Sequence, residues 1–132
     1  AGNQDCHVIL RGGKLPNYAA ADVDAACALL KAAGLREQVM VDVSHANSSK
    51  QHQKQIEVAA NVAQQIAAGD RRITGLMVES HLEEGRQDIV PGQALKVGVS
   101  VTDACISMAQ TVPVLQGLAA AVRSRRVAAQ AT

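Results

Sequence analysis

Apolar residues follow two rhythms along this chain, short continuous runs and longer stripes at helical spacing, and the two alternate. The run Cys6-His-Val-Ile-Leu-Arg11 closes on Gly12-Gly13 and is followed by the turn residues Pro16-Asn17, which predicts a buried strand and then a loop. Val23, Ala26, Cys27 and Leu30 recur at i, i+3, i+4 and i+7, with Gly34 where a left-handed helix cap belongs, so a helix is predicted from Ala20 to Ala33. A second apolar run, Val39 to Val43, breaks into a polar stretch led by His45. Ser48 and Gln51 then have capping-box spacing, and Ile56, Ala59, Ala60, Ala63 and Ile66 form a stripe before Gly69, predicting a helix from Lys50 to Ala68. The third run, Ile73 to Val78, ends on Glu79-Ser80-His81. From Leu82 to Thr102 runs a long connection containing Gly85, Pro91, Gly92 and Gly98; a loop of that length inside a compact domain points to function or disorder. Thr111 is predicted to cap the last helix, with Pro113 in its first turn and Leu115, Leu118, Ala119 and Val122 facing inward, and the basic, Ala-rich tail from Arg123 is expected to fray.

Near-continuous apolar strands separated by helices are the pattern of a parallel sheet covered on both faces, so the fold class is α/β, a parallel (βα)₃ arrangement in one unit over residues 1–132. Three such strands leave two long edges unpaired. Apolar edges must be covered, so the sheet is expected to be incomplete alone and the chain to form a homo-oligomer or associate with a further piece of protein. Arg11, His45 and Glu79 each stand at or just past the end of a strand, each 34 positions after the one before. In a parallel α/β protein ligands bind at the carboxyl ends of the strands, so a guanidinium, an imidazole and a carboxylate are expected at one mouth.

Composition narrows the function classes. Thirteen basic and twelve acidic residues leave a net charge of +1, which gives no reason to expect a nucleic-acid partner. The apolar runs fall short of the roughly 20 residues that a membrane helix needs, and the start has neither a basic nor an apolar targeting region, so a soluble cytoplasmic protein is expected. Cys6, Cys27 and Cys105 are an odd number with no CxxC spacing, consistent with a reducing compartment; Cys27 reads as small apolar filler. With one Tyr and no Phe or Trp, the core must be aliphatic and stacking of bases on aromatic platforms is excluded.

Taken one at a time, the candidate residues have ordinary explanations. A single His is most often a hydrogen-bonded structural residue, Glu79 can be a solvated strand terminus, and Asp103 can complement a helix dipole. Together, one imidazole and two carboxylates are a set suited to a divalent metal with open positions for substrate. Arg11 before two glycines is the natural holder of a carboxylate or phosphate, since the guanidinium binds bidentately and the glycines admit close backbone approach. Lys14 and Lys50 are expected at the surface. Ser48 and Ser49 read as capping residues, since no base stands at a spacing that identifies a triad. Of His7, His52 and His81, only His81 lies where it could join the mouth.

The tracts Cys6-His-Val-Ile-Leu-Arg-Gly-Gly-Lys14, Asp42-Val-Ser-His-Ala-Asn-Ser-Ser-Lys-Gln51, Gly75-Leu-Met-Val-Glu-Ser-His-Leu82 and Ser100-Val-Thr-Asp-Ala-Cys-Ile106 closely resemble the C-terminal part of class I 3-deoxy-7-phosphoheptulonate (DAHP) synthase, in order and in spacing, over nearly the whole chain. The tracts fit that family better than the related 3-deoxyoctulosonate 8-phosphate synthase. The resemblance implies the last three units of a (β/α)₈ barrel and the condensation of phosphoenolpyruvate with erythrose 4-phosphate, the first step of the shikimate pathway. It implies a divalent metal (Mn²⁺, Fe²⁺, Co²⁺ or Zn²⁺) held by His45, Glu79 and Asp103. Arg11 is implied as a phosphoenolpyruvate contact, His45 as a catalytic residue close to that substrate, and Asp103 as a further substrate contact. By the same resemblance the metal polarises the aldehyde, C3 of phosphoenolpyruvate attacks it, water adds at C2 and phosphate leaves. A fourth ligand, a cysteine of the family's first strand, and further phosphate-holding cations belong to a part absent from these 132 residues, so the isolated chain is expected to be inactive unless complemented. After Cys105 the family pattern Ile-Gly-Trp is replaced by Ile106-Ser-Met, and an aromatic expected near Val97 is missing, which puts packing of the last loop in question. The alternative is a non-catalytic barrel remnant that acts by self-association or by binding a full-length synthase.

Overall fold

The computed structural model describes residues 2–3 and 5–130. Three strands, β1 (Val8–Leu10), β2 (Val39–Asp42) and β3 (Ile73–Met77), form a parallel sheet in the order β1-β2-β3, with α1 (Ala20–Ala32) after the first strand and α2 (Lys54–Ala67) after the second. Leu10 pairs with Val41, and Asp42 with Met77, so the three carboxyl ends lie level along one edge. Two further short strands, β4 (Ser80–His81) and β5 (Ile106–Ser107), pair in parallel beyond that edge and lead into α3 (Met108–Ala128). At two residues each, they have no periodicity for a sequence to display.

β2 is the centre of the core. Val39, Val41 and Val43 are fully buried, and Leu10, Val23, Cys27, Val58, Val62, Ile66 and Ile73 pack with them. Its buried members are all aliphatic or cysteine, with Tyr18 packed only against the margin, so its fit depends chiefly on branched aliphatic chains in fixed rotamers. α1 begins and ends as its stripe predicts, and burial pushes the Cys27 thiol up, in keeping with its place as apolar filler.

Both later helices start elsewhere than predicted. Ser48 and Gln51 do not form a capping box: the Gln51 amide bonds to the Ser48 carbonyl in a turn, Ser49 and Lys50 take left-handed backbone conformations, and α2 begins at Lys54 after an N-cap, Gln53, without a side-chain cap. Two consecutive residues at positive φ cannot belong to a right-handed helix. The stripe on α2 is also turned, with Gln55, Val58, Ala59, Val62 and Ile66 buried, while Ile56, Ala60 and Ala63 border a groove shared with Ala109, Pro113 and Gly117 of α3. The helix lies against two neighbours, so its apolar surface is wider than one stripe.

α3 starts at Met108, three residues before the predicted cap. Ser107 is its N-cap, accepting the Gln110 amide, and Gln110 reaches back to the Ser107 amide to complete a capping box. Thr111 instead donates to the Ser107 carbonyl, and Pro113 falls beyond the first turn. Val114, Leu118, Ala121 and Val122 face the core, whereas Leu115 is exposed. The helix also continues past Arg123 to Ala128, pinned where Arg125 donates to the Asp70 carbonyl at 2.7 Å; fraying of Ala131 and Thr132 lies outside the described residues. No helix is long and apolar enough to cross a membrane among the described residues.

The long connection is held by its own hydrogen bonds. The Gln87 amide donates to the carbonyls of Lys96 and Val99 and accepts the Lys96 amide, and backbone bridges join Gly85 to Cys105 and Arg86 to Ser100. Where an aromatic is expected, Val97 points to solvent, 87% exposed. Where the pattern Ile-Gly-Trp is expected, Ser107 caps α3, so the substitution has a structural use.

Candidate metal centre

The strand β2 ends on Asp42, a charged residue in an apolar run, with 3% of its surface exposed. Burial of a carboxylate is costly unless its oxygens are satisfied. Here Oδ1 accepts the Ser44 amide at 2.8 Å, and Oδ2 lies 2.7 Å from His45 Nδ1. An ionised carboxylate only accepts, so this contact puts a proton on Nδ1 and leaves the lone pair of the neutral ring on Nε2. His45 has φ +48°, so the chain bends sharply as it leaves the strand and turns the ring back across the sheet edge.

His45 Nε2 faces Glu79 Oε1 at 3.8 Å, too far for a hydrogen bond. The other oxygen, Oε2, accepts the Ser44 hydroxyl at 2.5 Å. Glu79 is also fixed by its backbone. Its amide donates to Gln55 Oε1 at 2.8 Å, and its carbonyl accepts from Gln55 Nε2 at 3.1 Å and from the Ile106 amide at 3.0 Å. The last of these bonds brings in the segment that carries Asp103.

One ligand atom from each of His45, Glu79 and Asp103 lies within 4.8 Å of the others, with His45 and Glu79 half-buried and Asp103 exposed. Two metal bonds of about 2.1 Å span at most about 4.2 Å, so the His45–Glu79 pair at 3.8 Å is within reach of one ion, and Asp103, on an exposed loop, has its ligand atom within 4.8 Å of both. An imidazole nitrogen with two carboxylates suits a divalent cation of the first transition row, and leaves coordination positions open. Cys105 stands close by in the chain, and burial pushes its thiol up, opposed by a hydrogen bond with Ser100 and reinforced by the charges of Glu79 and Asp103.

Arg11 occupies the same edge, one residue past β1, exposed and without an ion pair among the described residues. Its loop is tied to that of His45. Asn47 donates to the carbonyls of Leu10 and Asp42 and accepts the Asn17 amide, whose own side chain accepts the amide of Gly12. Gly12 has φ +75°, and a Cβ there would stand 2.7 Å from that of Ala46, so only glycine allows the two loops to touch. Lys14 and Lys50 are exposed as expected. His52 pairs with Glu84, and His81 hydrogen-bonds the Gly98 carbonyl, which makes it an anchor for the long connection rather than a member of the cluster. Ser48 donates to the His45 carbonyl.

A sequence profile of the DAHP synthetase I family matches residues 1–116. The chain belongs to this family. The Phe-sensitive phospho-2-dehydro-3-deoxyheptonate aldolase of Escherichia coli strain K12 is 56% identical over 126 residues, which cover 96% of this chain and 36% of that protein. The phospho-2-dehydro-3-deoxyheptonate aldolase of Haemophilus influenzae is 56% identical over 128 residues, covering 96% of this chain and 35% of that protein. The structure of the phospho-2-dehydro-3-deoxyheptonate aldolase of Francisella tularensis SCHU S4 superposes with a TM-score of 0.89 at 47% identity, covering 94% of this chain and 36% of that one. The chain therefore spans a little over a third of the length of these DAHP synthetase I relatives.

Asp42, Ser44, Asn47 and Gln55 are the site residues that sequence reasoning missed. Two carried a signal: Asp42 interrupts an apolar strand, and Gln55 recurs with Val58, Ala59, Val62 and Ile66 at helical spacing, a polar residue on the buried face.

Proposed function

We propose that these residues are the C-terminal part, units six to eight, of a (β/α)₈ barrel that condenses phosphoenolpyruvate with erythrose 4-phosphate in the cytoplasm, with residues 1–132 forming no separate domain. The reading rests chiefly on one observation: three donors of metal-ligating type gather at the carboxyl edge of a parallel sheet, in a chain about half identical to named aldolases. His45 through Nε2, Glu79 and Asp103 would hold Mn²⁺, Fe²⁺, Co²⁺ or Zn²⁺. When bound, the ion supplies a Lewis acid for the aldehyde of erythrose 4-phosphate.

The chain's own residues do the rest. Asp42 keeps the proton of the His45 ring on Nδ1. Arg11, exposed beside a glycine pair, binds the anionic groups of phosphoenolpyruvate, and Asn47 keeps its loop in register with that of His45. Asp103 would be the third donor that this chain gives the cation, and it contacts substrate. The exposed edges of the sheet favour pairing with the rest of the barrel or with a second copy.

The test is phosphate release from phosphoenolpyruvate and erythrose 4-phosphate with Mn²⁺, by the full gene product and its His45→Gln and Glu79→Gln variants. Release by the native protein, and a loss of at least about a hundredfold in each variant, is the expected result. A native protein that releases no phosphate and binds no Mn²⁺ would instead establish a non-catalytic remnant.

A further inference from the structure

Gln55 is 1% exposed, and the other buried members of its helix face, Val58, Ala59, Val62 and Ile66, are all apolar. An amide in such a place is tolerated only when both its ends are bonded. Both ends are bonded to a single residue, Glu79, through its N–H and its C=O. The position of this clasp matters. The Val43 amide bonds the Met77 carbonyl where the β2–β3 ladder ends, and Glu79 lies two residues beyond that link. On the side of β2 it has no strand to hold it, its one strand contact being the Ile106 amide on its carbonyl, and the side chain of Gln55 supplies the pair of bonds that a neighbouring strand otherwise gives.

Glu79 is also the residue through which the other two ligands are related. Its carboxylate faces His45 and takes the Ser44 hydroxyl, and its carbonyl takes the Ile106 amide, three residues after Asp103. A shift of the Glu79 backbone would therefore change both ligand separations at once. We propose that Gln55 is a positioning residue for the cation: by clasping the Glu79 backbone from α2 it sets the spacing of the His45, Glu79 and Asp103 donors, and hence the affinity for a divalent metal. This inference rests on the reading of those three residues as the metal ligands.

The experiment is titration of the full chain with Mn²⁺ alone, followed by the loss of the free-ion electron paramagnetic resonance signal, in the native protein and in Glu79→Gln, Gln55→Met and Val62→Ala. Methionine fills the volume of glutamine and removes both bonds. Val62→Ala damages the same buried face without touching Glu79, and so reports what general loosening of α2 does. Expected are binding by the native chain, its loss in Glu79→Gln, an affinity about 10–100-fold weaker in Gln55→Met and a change of less than about twofold in Val62→Ala. Gln55→Met binding like the native chain, or Val62→Ala weakening binding as much as Gln55→Met, overturns the positioning role while leaving the ligand assignment standing. Absence of Mn²⁺ binding by the native chain overturns the ligand assignment and the role of Gln55 with it.

Discussion

His45 Nδ1 lies 2.7 Å from Asp42 Oδ2, and of the two side chains it is the carboxylate that is buried, 4% exposed against 31% for the imidazole. The ring is thus oriented from below by a group that water scarcely reaches, while its Nε2 edge remains open to the mouth of the sheet. Orientation of a ligating histidine by a carboxylate is worth about 10–100-fold in metal affinity.

Asp42→Asn is the sharpest probe of this relationship. The amide oxygen can keep the Ser44 amide, which leaves an NH₂ group facing Nδ1 and forces the ring proton to Nε2, the atom needed for the metal. Mn²⁺ affinity is expected to fall by about 10–100-fold with little change in the size of the side chain, as read by calorimetric titration.

Asn47 joins three segments through one side chain, bonding Leu10, Asp42 and Asn17 while 3% exposed. Asn47→Leu retains the volume and removes all three bonds, each worth about 0.5–1.5 kcal/mol net. Urea unfolding is expected to show a clear fall in midpoint with an unchanged slope, since the surface exposed on unfolding stays the same.

Asp70 gives the chain an acid-sensitive brace at the opposite end of the sheet. Hydrogen bonds from Arg72 hold its carboxyl below the ordinary 3.8, against the upward push of its partial burial. A carboxylate depressed in the folded state contributes stability that is complete above its unfolded value and is lost as pH falls through the folded one. The stability difference between the native chain and Asp70→Asn, followed by urea unfolding, should therefore be constant from pH 5 to 7 and shrink below about pH 4.

What the sequence made legible, and what it hid, follows from the range of the interactions involved. The stripe Val23, Ala26, Cys27, Leu30 with Gly34 located α1 to within a residue, because cap, periodicity and stop signal agree locally. The starts of α2 and α3 were missed for the opposite reason. Ser48 and Thr111 look like caps, but the first donates to the His45 carbonyl in a loop where His45, Ser49 and Lys50 are left-handed, and the second is used to bond Ser80 and Ser107. The spacing of Arg11, His45 and Glu79 pointed to one sheet edge, and the parallel register places all three there. Asn47 stayed hidden, and Gln55 showed only as a polar residue at an apolar position, because the role of a buried amide is set by its partners, and theirs lie from 5 to 37 residues away in the chain.

β2 is flanked on both sides, and its valines are closed to solvent, while Val8 and Ile9 of β1 are 40% and 46% exposed. Protection from local opening should follow the same gradient, deepest in β2 and shallow at the sheet's margins. His45 hangs from the deepest strand, Glu79 from a residue past the ladder, and Asp103 from an exposed loop. If these three hold the proposed ion, the same gradient predicts that Asp103 is released most readily and His45 least, so that the imidazole is the fixed point of the cluster.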